Sequence, residues 1–119
     1  MPTVNWELVR DLGDPVIWLD VRTFDEAWRG TCGYIGRGGA GSKHRSRYQR
    51  VGEFIRTYGK LWYPHLTLDA GRPEFSDGRH RVAWLRDNGA DAVPVTTSPA
   101  NSIAMQELFG TDMRVTAYL

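Results

Sequence analysis

"FSDGRHRVAWLRDNGADAVPVTT", residues 75–97, holds the pattern on which a fold for this chain turns. An apolar stretch runs into Gly78, and three basic side chains, Arg79, His80 and Arg81, follow where a helix should begin. "RHRVAWLRDNG" reads as a short helix that turns Val82, Leu85 and also Trp84 inward, with Asp77 as its N-cap and Gly89 as its C-terminal cap glycine. "AVPVTT" (92–97) then reads as a strand, and Pro94 predicts an edge or strand-end position because it has no N–H to donate.

The basic cluster is the anomaly. Cations at a helix N-terminus oppose the helix dipole, which favours anions there. Unpaired N–H groups of a first turn bind anions, and a glycine lets a phosphate approach the backbone. One reading therefore has Arg79 or Arg81 closing over a bound phosphate, with His80 donating to it or moving a proton near neutral pH. The other is a solvated helix start whose arginines pair with Asp77 or Asp87. No GxxxxGK[ST] run is present, so the turn is not a Walker loop.

Working outward, "HLTLD" (65–69), "AGR" and "PEFS" (73–76) form a strand, a turn and an antiparallel return. "PVIWLDV" (15–21) reads as a strand ending near Asp20, and "TFDEAWRG" (23–30) as a helix capped by Thr23 with Glu26 as its capping-box partner and stopped at Gly30. "GRGGAGSK" (36–43) is a glycine loop, expected to be the most flexible segment. After it, Tyr48, Val51, Ile55 and Tyr58 fall at helical spacing before Gly59, while Arg45, Arg47, Arg50 and Arg56 fall largely on other faces. Ser98 and Pro99 open a last helix that ends at Gly110, and "MRVTAYL" reads as a final strand. The expectation is one compact α+β domain over residues 1–119, with a mixed β-sheet and three to four helices.

Composition narrows the classes. With 119 residues, 41% of them apolar, and five Trp, five Tyr and four Phe, the chain has enough material for one folded core. Trp18, Trp28, Trp62 and Trp84 are expected in that core, with Trp6 at an interface. The net charge of +1 hides an uneven layout: residues 37–60 hold seven basic and one acidic side chain, residues 1–36 three and six. All the basic residues except Lys43 and Lys60 are arginine, whose planar fork suits phosphate and carboxylate. A local anion site fits this better than a DNA-coating surface. The glycine loop and the basic helix offer either a second phosphate contact, a nucleic-acid surface with Tyr48 as a stacking platform, or an ordinary solvated face.

One cysteine, Cys32, rules out an internal disulfide and is expected as a small buried filler. No apolar run reaches the roughly 20 residues of a membrane span. The opening "MPTVNWELVRDLGD" is neither basic nor apolar, so no secretion signal and no membrane insertion are expected, and a cytoplasmic location is. His44 and His65 stand alone, so no zinc site is expected. Asp20, Asp25, Glu26, Asp69 and Glu74 offer a general base or a magnesium ligand, but no spacing groups them.

The order strand, turn, strand, D-G-x-H-R, helix and V-P-V strand, in "LTLDAGRPEFSDGRHRVAWLRDNGADAVPVTT", resembles the ParB/sulfiredoxin superfamily. The block from Phe75 to Val95, with "YIGRGGAGSKHRSRYQRVGEFI" before it, is similar in particular to the plasmid fertility inhibition factor family, over roughly residues 16–110. The resemblance implies a ParB/sulfiredoxin-like fold in which Gly78, Arg79, His80 and Arg81 form the turn that holds a nucleotide or nucleic-acid phosphate. It implies a plasmid-encoded inhibitor of conjugative transfer, acting on a protein of a transfer or defence system. Sulfinic acid reduction is not implied, because Arg79 stands where that chemistry has a cysteine. The long helical DNA-reading region of partition proteins is also missing after this block, so a complete partition protein is not expected. The expected chemistry is that of a metal-dependent nucleotide hydrolase or nuclease, using ATP or another nucleotide with Mg2+. Arg79 and Arg81 would stabilise charge, His80 or a carboxylate such as Asp77 or Glu74 would handle the proton, and Arg45, Arg47 and Arg50 would close the site. The open alternatives are a binding module without turnover that occludes a protein partner, and a single-strand binder.

Overall fold

The computed structural model describes residues 1–8 and 12–119, so the opening segment read for a leader falls partly outside the described residues. Strand β1 (Asn5–Glu7) precedes β2 (Val16–Asp20), α1 (Val21–Trp28), α2 (Arg45–Tyr58), β3 (Lys60–Trp62), β4 (His65–Asp69) and β5 (Arg72–Asp77). Then come α3 (Arg79–Asp87), β6 (Ala92–Thr96) and α4 (Pro99–Phe109). The main sheet runs β2-β6-β4-β5, antiparallel at both ends and parallel between β6 and β4. A separate pair joins β1 to β3 in parallel. The architecture is α+β with a mixed sheet, and no helix among the described residues is long and apolar enough to cross a membrane.

Local chemistry explains most of the element ends. Asp20, not Thr23, caps α1: its Oδ2 accepts from Thr23 N at 2.9 Å and from Thr23 Oγ1 at 2.7 Å. The hydroxyl expected to cap is therefore bound by the carboxylate that does. Gly59 ends α2 in the left-handed region. At the end of α3, Ala90 N donates to Leu85 O and Gly89 N to Arg86 O, the paired closure that a positive-φ glycine permits.

Pro94 lies in a central strand, contrary to the edge expectation. β6 sits between β2 and β4, and all five of its residues are buried. Thr97 N donates to Pro15 O and Thr96 N to Pro64 O, so successive amides face β2 and β4 in turn. The position without an N–H therefore faces β4, where pairing is confined to His65 with Thr96 among the described residues. Proline interrupts no ladder there.

Residues 113–119 do not form the expected strand. The segment is tied down by a bridge between Thr3 and Ala117 and by single bonds such as Thr116 Oγ1 to Ala92 O, while Met113 and Val115 stay exposed. The aromatic core forms around Phe24, which meets Phe75 and Phe109 edge-on and lies beside Trp28. Both Phe24 and Trp28 are 1% exposed. Truncating such a ring costs about 3–5 kcal/mol. Trp84 packs partly buried against this core, but Trp62 is exposed. Trp6 donates its indole N–H to Thr116 Oγ1 at 3.0 Å and packs partly buried against the core. Cys32 is exposed, not a buried filler.

Candidate functional site

Strand β5 delivers the chain to Gly78, which has φ 87 and precedes α3 as an N-cap without a side-chain hydrogen bond. The position requires glycine twice over. A left-handed φ disfavours a Cβ, and a Cβ here would stand 2.6 Å from Pro64 Cβ and 2.7 Å from Pro64 Cα. With neither a carboxylate nor a hydroxyl over its first turn, α3 keeps the N–H groups that a helix cannot satisfy internally. They open on a cleft of about 320 Å³ lined by Asp77, Gly78, Arg79, His80 and Arg81, with Arg47 of α2 across from them.

The two arginines of the turn are anchored rather than loose. Arg79 Nη1 donates to Gly33 O at 3.2 Å. Arg81 Nη1 donates to Trp62 O at 2.8 Å and Nη2 to Asp77 Oδ2 at 3.0 Å, with the Arg81 side chain 17% exposed. Each guanidinium carries more donors than these bonds use, and both groups line the cleft. Asp77 is thus an ion-pair partner of Arg81 and not the helix cap. His80 is buried, at 9% exposure, with Nε2 2.7 Å from Ser42 Oγ. Its burial, followed by the charges of Arg79, Arg47, His44 and Arg81, pushes its pKa down to about 4, so the ring is neutral at neutral pH.

The basic helix divides. Arg47 reaches the cleft, whereas Arg50 lines a neighbouring hollow with Arg81 and Phe54, and Arg45 is an exposed residue lining neither. Tyr48 is engaged within the fold. Its hydroxyl donates to Asp87 Oδ2 at 2.7 Å, and its ring covers Gly39, where a Cβ would lie 3.2 Å from Tyr48 Cγ. Burial and then the Asp87 hydrogen bond push the Tyr48 phenol up to about 12.

The glycine loop is held in place by a network that no motif announced. Asp87 Oδ2 also accepts from Gly38 N at 3.0 Å, and Asp87 Oδ1 accepts from Arg86 Nε at 2.9 Å. Arg86 Nη1 donates to Asp25 Oδ1 at 2.9 Å and to Ile35 O at 2.6 Å. Its guanidinium lies 5.4 Å from the centre of the Tyr34 ring and 5.7 Å from that of Trp28. Burial works against the Asp87 carboxylate, but hydrogen bonds from Arg86, Tyr48 and Gly38 outweigh it and leave the pKa below the usual carboxylate range. The partners stand 49 and 61 residues apart, beyond any spacing rule. Ser42 was missed for the same reason, lying 38 residues before His80.

The remaining carboxylates do other work. Asp20 caps α1, and Asp25 pairs with Arg86 and Arg29. Asp69 and Glu74 line a second cavity of about 600 Å³, which meets the cleft at Phe75 and Arg79 and also takes in exposed Cys32. Among the described residues there is no group of three or more His, Cys, Asp or Glu that could hold a metal ion. His65 is structural, with Nδ1 2.9 Å from Thr96 Oγ1. Compared with known protein families, curated proteins and solved structures, the chain has no match.

Proposed function

We propose that the cleft at the head of α3 binds a phosphoryl group of a nucleotide or nucleic acid, as the likeness to plasmid fertility inhibition factors implies. What supports the reading is one arrangement: Arg79, Arg81 and Arg47, from two helices, line the same cleft as the uncapped first turn of α3. Asp77 balances Arg81, so the net positive charge of the lining comes from Arg79 and Arg47, and an anion at the first turn offsets their repulsion. The biological role that follows is inhibition of conjugative transfer, through a protein of a transfer or defence system. Phosphoester or phosphoanhydride hydrolysis is the reaction class suited to the site.

Among the described residues Asp77 is the one carboxylate of the lining, and it is paired with Arg81. A Mg2+ ion arriving with a nucleotide fits these residues only if the phosphates supply most of its ligands, with Asp77 adding one. Bound in that way, the metal neutralises phosphate charge. The scarcity of carboxylates favours a second reading, a binder without turnover. Metal-dependent release of phosphate or cut DNA by purified protein separates the two.

Calorimetric titration with ATP and CTP, with and without Mg2+, tests the proposal beside Arg81→Ala. Binding by the native chain and a weakening of about 10- to 100-fold in the variant are expected, in line with loss of a charge-assisted pair. Negligible heat from both proteins removes the reading.

A further inference from the structure

We infer that Ser42 is a nucleophile whose general base is His80, attacking the phosphorus of an ester or anhydride seated at the head of α3. The inference rests on the phosphate reading of the cleft and adds to it the group that does the chemistry. Ser42 Oγ lies 2.7 Å from His80 Nε2, inside the range over which a hydroxyl hands its proton to a base. His44 N donates to the same oxygen at 3.0 Å. That N–H occupies one lone pair and steadies negative charge as it grows on Oγ. The mechanism takes the His80 tautomer with its proton on Nδ1, in which the Ser42 hydroxyl donates to Nε2.

The support behind the pair is firm on both sides. Ser42 ends a glycine loop pinned at Gly38 N by Asp87 and covered at Gly39 by the Tyr48 ring. His80 sits on the first turn of α3 between Arg79 and Arg81, so the base and the phosphate donors belong to one rigid element. Arg79 and Arg81 of α3, Arg47 of α2 and His44 before it surround the ring, and Asp77 balances Arg81. Burial first, and then these cations, make His80 a weak base when no anion is bound. A phosphoryl group in the cleft offsets the same charges and raises the proton affinity of Nε2 at the moment it is needed.

In the first step the Oγ–P bond forms, the bond from phosphorus to the leaving oxygen breaks, and the Ser42 proton passes through Nε2 to that oxygen. In the second, water attacks the phosphoserine and gives its proton to Nε2. Ser42 Oγ departs and takes that proton back, so no redox partner enters.

An alkyl fluorophosphonate tests the nucleophile directly, since Oγ displaces fluoride from phosphorus. Intact mass and peptide mapping of the full chain should place the adduct on Ser42, forming about 100-fold faster than on exposed Ser46, the scale of general-base assistance. Ser42→Ala should remove it, Ser46→Ala should not, and His80→Gln, checked for fold by circular dichroism, should slow it about 100-fold. No adduct, or one spread over the exposed serines, overturns the inference. If His80→Gln does not fold, Ser42→Cys in a Cys32→Ser background takes its place. Alkylation of that thiol by iodoacetamide at about pH 6 should outpace that of native Cys32 about tenfold, and equal rates overturn the inference. Pyrophosphate calorimetry on the same samples keeps the two ideas apart. Heat without an adduct overturns the nucleophile and keeps the phosphate cleft; an adduct without heat supports the nucleophile and removes the cleft reading.

Discussion

Replacing Gly78 by alanine isolates the feature on which the cleft depends, the close passage of its backbone beside Pro64. Two costs add. Holding an L-residue in the left-handed region costs about 1–2 kcal/mol. Forcing a methyl group to 2.6 Å from Pro64 Cβ and 2.7 Å from Pro64 Cα displaces a proline ring and backbone, not the end of a flexible side chain. Overpacking of that kind costs about 1–3 kcal/mol, for a total of about 2–5 kcal/mol. Gly38 provides the control, because its φ is 71 and nothing lies within 4 Å of an added Cβ. Gly38→Ala therefore carries the conformational cost alone, about 1–2 kcal/mol. At about 4 °C per kcal/mol for a domain of this size, Gly78→Ala should melt about 8–20 °C below the native protein and Gly38→Ala about 4–8 °C below it. Thermal unfolding followed by circular dichroism, with urea titration for ΔG, measures both. If the two variants melt within about 2 °C of each other, the contact with Pro64 carries no energy and the steric reasoning fails.

Acid should unfold the protein partly through His80. Its folded pKa of about 4 lies below the ordinary value of 6.5, so the unfolded chain takes up a proton first as pH falls. Stability is then lost between about pH 6.5 and pH 4 and levels off below, by at most about 3 kcal/mol for this residue before solvent screening reduces it. His80→Gln should flatten that part of a Tm-against-pH curve, and an unchanged slope would count against the buried neutral ring. Tyr48→Phe removes a charge-assisted hydrogen bond to Asp87 and should cost about 1.5–3 kcal/mol in urea unfolding. A loss below about 0.5 kcal/mol would mean that Asp87 does not depend on that hydroxyl.

Several elements were legible because their causes are local. Gly78 and Gly89 frame α3 through backbone conformations that other residues resist, and Pro99 after Ser98 starts α4. Alternation in residues 65–69 with a turn after it was enough for the β4–β5 hairpin. The basic turn 79–81 was visible for the same reason, since its oddity is a matter of adjacent residues. Where a reading failed, the partner that was met decided, whether near in the chain or far from it. Thr23 gave way to Asp20 because the carboxylate is the stronger acceptor, and Pro94 became central because β4 leaves its side of β6 almost unpaired.

The amino-acid order alone determined the sites of α1 to α4 and of β2, β4, β5 and β6, several glycine stops and the cluster of arginines, because each follows from backbone preference and side-chain periodicity over a few residues. Only the tertiary structure decided which cations meet: Arg47 comes to the cleft while Arg45 and Arg50 do not, and Tyr48 turns to Asp87. It also put Ser42 against His80 and buried Arg86 among Asp25, Asp87, Tyr34 and Trp28. These pairings cross dozens of residues, and what selects them is the need to satisfy buried charge and polar groups once the core has closed.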